Sequence, residues 1–390
     1  MTFPMLQTIN IVTTAAYPWR TGLSILPLLR AYYLAQRGLD VTLYVPWIAP
    51  EDQLELFGTG TCFTSPETQE AHIRAYLPGP DQPSLKIEFY PGVYVKLFGS
   101  IIPTCRLSKR IRACDWLLLE EPEHLNWFQP MNRFRKCAPR VTGNVLTNYF
   151  YYWSGGLPGL PILPWLMERY SRLLIRHHCD DVLILSNQMG YLKGSVLMYS
   201  SGIHPSFFQT PPPDPASQKA YFIGKLLWGK GFREMVNLLS GSPVRKVDVF
   251  GGGDDRDAIA AYAESKGIRF RFKGITTDPA GDLKDYKIFL NMSRSENSCT
   301  TTAEALGMGK FVIVPKIPSN DRYYKYRNCL SYTSPREFRQ WLDHALAHAP
   351  KKDVAIYDLS WDTAVDRLLQ YYYDTENKRP SSRRRTGSRR

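Results

Sequence analysis

Long apolar runs are missing from this chain. A helix needs about eighteen consecutive apolar residues to cross a bilayer, and no such run occurs. The apolar stretch Leu157–Leu166 is short and broken by Pro158, Pro161 and Pro164, so no spanning helix is expected. A charged leader is missing too. The strand-like run Thr8-Ile9-Asn10-Ile11-Val12 begins almost at once, and no signal or transit peptide is expected. Cysteine has no pattern: Cys62, Cys105, Cys114, Cys137, Cys179, Cys299 and Cys329 show no paired spacing and no Cys/His cluster. That argues against a zinc motif and for reduced thiols in a reducing compartment. No repeat at a fixed period appears. Acidic residues are the scarcer charge, 36 against 49 basic, for a formal charge of +13. Lys378, Arg379, Arg383, Arg384, Arg385, Arg389 and Arg390 supply much of that excess. With Pro380, Ser381, Ser382, Gly387 and Ser388 between them, residues 378–390 read as a disordered basic tail. Such a tail is a solubilising terminus or an attractor of anionic lipid or nucleic acid. The rest of the chain has no nucleic-acid-binding motif, and no nucleic-acid partner is expected.

What is present is the composition of a folded protein, 44% hydrophobic and 22% charged over 390 residues, enough for two cores. Strand-like and helix-like segments alternate, which predicts layered α/β domains with parallel sheets. Strands are expected at Thr8–Thr14, Asp40–Val45, Trp116–Leu119, Val141–Thr147, Asp181–Leu185 and Val196–Tyr199. A helix is expected from Thr21-Gly22 to about Arg37. Pro211-Pro212-Pro213-Asp214-Pro215 reads as a linker. After it the series restarts with Ala220–Ile223, Lys246–Phe250, Arg269–Phe272, Ile288–Met292 and Phe311–Val314. The expected division is therefore 1–210 and 211–355, followed by a helix over 356–377 that packs back and the tail 378–390.

In open α/β sheets, ligands bind outside the carboxyl ends of the strands, and the chemistry-bearing residues cluster at such ends. Gly224-Lys225-Leu226-Leu227-Trp228-Gly229-Lys230-Gly231 follows a strand and precedes a helix. Lys225 and Lys230 suit a diphosphate, and the glycines allow close backbone approach; a solvated basic turn is the other reading. The Gly-Lys-Ser/Thr ending of a P-loop is absent. Gly251-Gly252-Gly253 lacks the dinucleotide spacing, which argues against an NAD enzyme. Glu296 and Glu304 lie eight positions apart, followed by Gly307-Met308-Gly309-Lys310. Two carboxylates so disposed can bracket a nucleotide-sugar, one on the sugar and one on the ribose diol. Thr300 and Thr301 stand between them, in a stretch that leads into a helix-like run. In the first half, Gly22 begins a helix whose N-terminal amides can meet a phosphate. Glu120-Glu121-Pro122-Glu123-His124 crowds four ionisable groups between apolar flanks, which suits a polar site with shifted pKa values. His177, His178 and His204 have no ligand-spaced partner and read as core or surface histidines. Tyr149 to Trp153 and Trp165, interleaved with Arg169, Arg172 and Arg176, suit either a bilayer interface or a buried helix.

The chain resembles the digalactosyldiacylglycerol synthases of plant and algal type, in glycosyltransferase family 4. The resemblance rests on Ile11-Val12-Thr13-Thr14-Ala15, Pro18-Trp19, Thr21-Gly22, Val45-Pro46-Trp47, Phe63-Thr64-Ser65-Pro66-Glu67 and Phe89-Tyr90-Pro91-Gly92. Leu119-Glu120-Glu121-Pro122-Glu123-His124-Leu125-Asn126-Trp127 is its most specific string. Tyr221–Lys225, Trp228, Lys230-Gly231, Cys299–Leu306 and Met308-Gly309-Lys310 extend it over about residues 8 to 370. It implies a GT-B fold, two Rossmann-like domains with the active site in the cleft between them, the first for acceptor and the second for donor. It implies transfer of galactose from UDP-galactose to monogalactosyldiacylglycerol with anomeric retention and no metal or other cofactor. It also implies a site built of Glu296, His124 and Glu121 for the chemistry. Gly22, Lys225, Lys230, Glu304, Thr300 and Thr301 then hold the donor, and Leu146, Asn148 and Tyr149 lie near the sugars. Family members carry His where this chain has Leu146. Related readings are another sugar such as UDP-glucose, another lipid acceptor, or a silent nucleotide-sugar- or lipid-binding homologue. The expected partners are a UDP-sugar, a diacylglycerol-type glycolipid and an anionic membrane surface held peripherally. The expected location is the plastid envelope in a photosynthetic eukaryote, or the cytoplasmic face of the cell membrane in a bacterium.

Overall fold

A computed structural model describes residues 6–58, 60–147, 149, 162–189, 192–294, 296 and 299–378. The chain forms two compact units. One runs to Leu185, resumes over Met189–Ser201 and takes in the chain from Ala364 onward; the other is Ser186–Gln188 with Gly202–Thr363.

The first unit is built on an eight-stranded sheet: β1 (Thr8–Val12), β2 (Asp40–Trp47), β3 (Leu85–Val95), β4 (Ser100–Pro103), β5 (Trp116–Glu120), β6 (Arg140–Val145), β7 (Asp181–Ile184) and β8 (Val196–Leu197). The order is β4-β3-β2-β1-β5-β6-β7-β8. All pairings are parallel except β3 with β4. Ile9, Ile11, Val12, Trp116, Leu117, Leu118, Leu119 and Val141 are all buried, the near-continuous apolar run of strands covered on both faces. Such runs make the central strands visible in sequence. β3 was not expected, because Pro91 and Gly92 disfavour a strand. They mark a change of partner instead: Pro91 is the last residue paired to β2, and Gly92 the first paired to β4.

The helix Gly22–Gln36 contains Pro27. Proline has no N–H to give the carbonyl four residues back, here Leu23. The Thr13 hydroxyl, just past β1, donates to that Leu23 carbonyl, so the broken rung ties the helix to the strand.

The second unit carries six parallel strands, β9 (Ala220–Ile223), β10 (Lys246–Phe250), β11 (Arg269–Gly274), β12 (Ile288–Leu290), β13 (Phe311–Pro315) and β14 (Cys329–Tyr332). Their order is β11-β10-β9-β12-β13-β14. Each unit is thus Rossmann-like. The proline-rich stretch Pro211–Pro215 lies inside the second unit. Ile203 and Phe207 already pack with Ala303 and Leu306, and Ile203 N–H donates to Leu359 O at 2.9 Å. The last helix, Trp361–Lys378, begins in the second unit and from Ala364 belongs to the first. Arg140 fastens it there: Nε donates to Asp181 (2.8 Å) and a terminal nitrogen to Tyr372 O (3.0 Å), with Trp116 and Tyr372 rings against the guanidinium. Residues 379–390, most of the expected tail, lie outside the described residues, as does Asn148.

Candidate functional site

In the second unit the loop after β9 turns through Trp228–Lys230 into the helix Phe232–Leu239. Gly231 makes the turn at φ 81°, where a Cβ would stand 2.3 Å from Met292 O. Only glycine allows that approach, and it brings Lys230 against the chain leaving β12. Lys230 Nζ meets Glu296 Oε1 at 2.6 Å, each side chain 19% exposed, shielded yet reachable. Burial, and then the charge of Lys230, push Lys225 below the usual lysine range. Two cations crowded this way favour an anion. Gly251-Gly252-Gly253 has a packing role: at φ 129° a Cβ on Gly251 would lie 1.9 Å from Gly224 O.

Thr300 and Thr301 are the first residues of the helix Thr300–Gly307, whose N-terminus has no side-chain cap. First-turn amides left without a side-chain cap can donate to an anion. Asn291 Nδ2 donates to Cys299 Sγ (2.9 Å), Ser293 N–H to Asn291 Oδ1 (3.1 Å) and Tyr323 OH to Cys299 O (2.9 Å). These bonds hold the turn between β12 and the helix. One turn in, burial pushes Glu304 up to about 7. The Tyr221 hydroxyl, which feels the Glu304 charge, is buried without a partner. Lys310 is not part of this edge. It opens β13 at the amino side of the sheet, its ammonium buried on Tyr286 O (2.5 Å) and Lys284 O (3.2 Å).

In the first unit the acidic string divides its labour. Glu120 pairs with buried Arg30 and accepts from Asn144 Nδ2 at 2.9 Å, a fully buried structural role. Glu121 takes φ 62°, unusual outside glycine, and so turns toward the neighbouring strand end. There its Oε1 accepts from Leu146 N–H at 2.8 Å. His124 Nδ1 lies 3.0 Å from Tyr149 OH. Trp127 closes the group, 4.6 Å from the His124 ring and 4.7 Å from the Tyr149 ring. Burial pushes His124 down to about 3, so it is neutral, and its Nε2 has no partner. Glu121, His124, Leu146 and Tyr149 are thus brought together. Gly22 begins its helix exposed, with nothing closer to an added Cβ than Leu26 at 3.9 Å. Sequence reasoning left out Glu123, Asn291 and Tyr221. Glu123 sat in the same string with nothing to rank it, and the other two are polar residues in apolar strands, a signal that went unused.

The helix Ile162–His178 is neither wholly buried nor wholly surface. Leu174 and Ile175 are buried, and Tyr170 OH donates to Trp127 O at 2.9 Å. On the other side Ile162, Trp165, Leu166 and Leu173 are 68%, 50%, 49% and 67% exposed. The spacing 162, 166, 169, 173, 176 puts Arg169 and Arg176 in that stripe, with the Arg169 guanidinium 4.8 Å over the Trp165 ring. Phe128, next to Trp127, is 58% exposed. No described helix is long and apolar enough to cross a membrane.

No family profile matches the chain, but whole proteins do. It is 34% identical over 382 residues to digalactosyldiacylglycerol synthase 2, chloroplastic, of Glycine max, across 93% of this chain and 82% of that one. The chain belongs to the digalactosyldiacylglycerol synthase family. It is also 36% identical over 383 residues to digalactosyldiacylglycerol synthase 1, chloroplastic, of Lotus japonicus, across 93% of this chain and 49% of that one. The chain therefore spans about half the length of the synthase 1 relatives it matches. Sucrose-phosphate synthase from Thermosynechococcus elongatus superposes with a TM-score of 0.65 at 12% identity, over 96% of this chain and 100% of that one. Anabaena HepE in complex with UDP-glucose gives 0.62 at 10% identity, over 94% and 99%. This family member accordingly has the GT-B fold of glycosyltransferases.

Proposed function

We propose that the chain transfers galactose from UDP-galactose to monogalactosyldiacylglycerol, forming digalactosyldiacylglycerol with retention at the anomeric carbon. The observation that carries this reading is the Lys225, Lys230 and Glu296 set at a strand-end edge, in a chain of this family. Lys225 and Lys230 take the diphosphate, aided by the open helix N-terminus at Thr300 and Thr301. Fixed positive charge there offsets the charge that develops on the leaving group, with no metal needed. Binding draws Lys230 away from Glu296, whose carboxylate then accepts from the sugar hydroxyls. Glu304 accepts from the ribose. In the first unit, His124 and Tyr149 present neutral hydrogen-bonding groups to the accepting sugar.

The acceptor is a lipid, and the exposed stripe of Ile162–His178 fits a bilayer interface: apolar side chains to enter it and Arg169 and Arg176 to meet anionic headgroups. The protein is peripheral in this reading. The chloroplastic relatives favour the plastid envelope.

The test is purified protein with UDP-galactose or UDP-glucose and monogalactosyldiacylglycerol in mixed vesicles, with products resolved by mass and linkage. A digalactosyl lipid is expected; no glycolipid product from either donor overturns the reading. One observation favours a second reading, transfer of glucose. Leu146 brings no hydrogen-bonding side chain where family members carry His. Under the galactose reading Leu146→His raises turnover with UDP-galactose. If it lowers turnover with that donor while the natural chain prefers UDP-glucose, the glucose reading replaces the first.

A further inference from the structure

At the end of β5 three buried side chains within four positions each keep one polar atom without a hydrogen-bond partner: Glu121 Oε2, Glu123 Oε2 and His124 Nε2. Their residues are 0%, 3% and 2% exposed, so bulk solvent does not reach them. Such atoms cost free energy and need an explanation. For the two carboxyl groups the arrangement supplies one. Glu121 and Glu123 lie within hydrogen-bonding reach of each other. As two carboxylates they are acceptors only, and neither can donate to the unpartnered Oε2 of the other. One proton between them satisfies both atoms with a single bond. Two charges this close in a buried site would also repel strongly.

Among the described residues, the groups packed around the pair add no compensating cation. His124 is neutral, held down by burial, and burial pushes the Tyr149 hydroxyl and the Cys179 thiol up. Thr147 contributes a hydroxyl to Glu121. Of the buried arginines, Arg30 is engaged by Glu120 and Arg140 by Asp181. Burial brings Glu123 up to about 7, and burial with the neighbouring Glu123 charge pushes Glu121 well above its usual range, in keeping with a pair that holds a proton near neutrality.

The other oxygen of Glu121 is occupied by the Leu146 amide, and the Tyr149 hydroxyl meets His124 Nδ1 at 3.0 Å. The orientation of Glu121 therefore governs how the chain leaves β6. We propose that Glu121 and Glu123 share one proton, and that this acid pair is a positioning device for the strand-end loop that carries Leu146 and Tyr149. Glu121 then acts on the loop and not on the reacting atoms, and Glu123 is a positioning residue of the site. The positioning role rests on the galactosyl-transfer reading; the shared proton does not.

The experiment has a readout for each part. Infrared difference spectra of the full chain at neutral pH, natural protein minus Glu123→Gln, detect the carbonyl stretch of a protonated carboxyl. The band is expected, and its absence overturns the shared proton whatever reaction the protein performs. For positioning, Glu123→Ala is expected to lower kcat about tenfold or more with little change in UDP affinity. Glu123→Gln is expected to restore most of that rate, since its amide is a permanent donor to Glu121. Its rate should also lose the decline that the natural protein shows as pH rises through about 7. The double variant Glu121→Gln with Glu123→Gln sets two amides face to face and is expected to be worse than the two single changes combined. Equal damage from Glu123→Ala and Glu123→Gln, in variants whose melting temperatures match the natural protein, overturns the positioning role. If the natural protein makes no glycolipid while the band is present, the galactosyl-transfer reading fails and the shared proton stands.

Discussion

At the carboxyl edge of the second sheet Lys230 and Glu296 form an ion pair at 2.6 Å, each side chain 19% exposed. At the same edge of the first sheet Glu121, Glu123 and His124 are buried, and His124 is neutral. The contrast fits two kinds of ligand. A diphosphate is a hydrated anion, and an exposed ion pair can exchange one partner for it at little desolvation cost. A sugar hydroxyl is neutral and directional, and donors and acceptors whose geometry is fixed by burial can read it. Each edge carries the electrostatics of the ligand class proposed for it.

The largest expected effect breaks the charged edge. Lys225→Ala and Lys230→Ala each remove a charge-assisted contact of about 1.5–3 kcal/mol, so UDP affinity should fall roughly ten- to hundredfold for each. Calorimetry with UDP measures this, and unchanged binding in the double variant rules out the phosphate role. Next comes the neutral edge. Tyr149→Phe leaves His124 Nδ1 buried without its partner at a cost of about 1–3 kcal/mol. Turnover should drop about tenfold while UDP affinity stays put; a matching loss of UDP affinity would erase the division between the edges. The third is the Glu304 carboxyl, with its pKa raised to about 7. Its neutral form is the one that burial favours, so its contribution to stability is lost as pH rises through about 7. Its ionised form is the better acceptor for a ribose diol, so UDP binding should weaken as pH falls from about 8 to about 6. Glu304→Gln should flatten that dependence, and a slope that survives it must come from another group. The smallest effect lies outside both edges. Arg169→Gln or Arg176→Gln should weaken binding to anionic vesicles about fivefold each at low salt, with less difference at high salt. Sedimentation with vesicles measures it, and Trp165→Ala tests the apolar half of the stripe.

Much of this was legible in the sequence, for a physical reason. Strands buried on both faces, such as Trp116–Glu120 and Phe311–Pro315, leave unbroken apolar runs. The parallel order and the strand-end loops follow from their alternation with helices. What escaped notice depended on distant partners. β3 is interrupted by Pro91 and Gly92, whose purpose is visible only once β4 is beside it. The helix through Pro27 was expected, but the Thr13 hydroxyl on its open carbonyl was not. In Glu120-Glu121-Pro122-Glu123-His124 the crowding was plain, yet one carboxylate answers an arginine 90 positions away and the next turns to an amide 25 positions on. The meeting of Lys230 with Glu296, 66 positions apart, was an expectation about a shared ligand, and the structure adds that they first hold each other.

The clasp of Arg140 on the last helix has a consequence for how the protein is made. Arg140 and Trp116 lie in the middle strands of the first sheet, and the Tyr372 ring that covers them comes at the far end of the chain. During synthesis the first unit therefore emerges with an aromatic seam uncovered, and the whole second unit must be translated before the seam can close. At about 5–20 residues per second that wait lasts on the order of ten seconds or more. The second unit has no such debt, since nearly all of it is contiguous in the chain. The half made first is thus the half finished last, and a nascent chain is most exposed to chaperones and to aggregation at the arginine that later locks it.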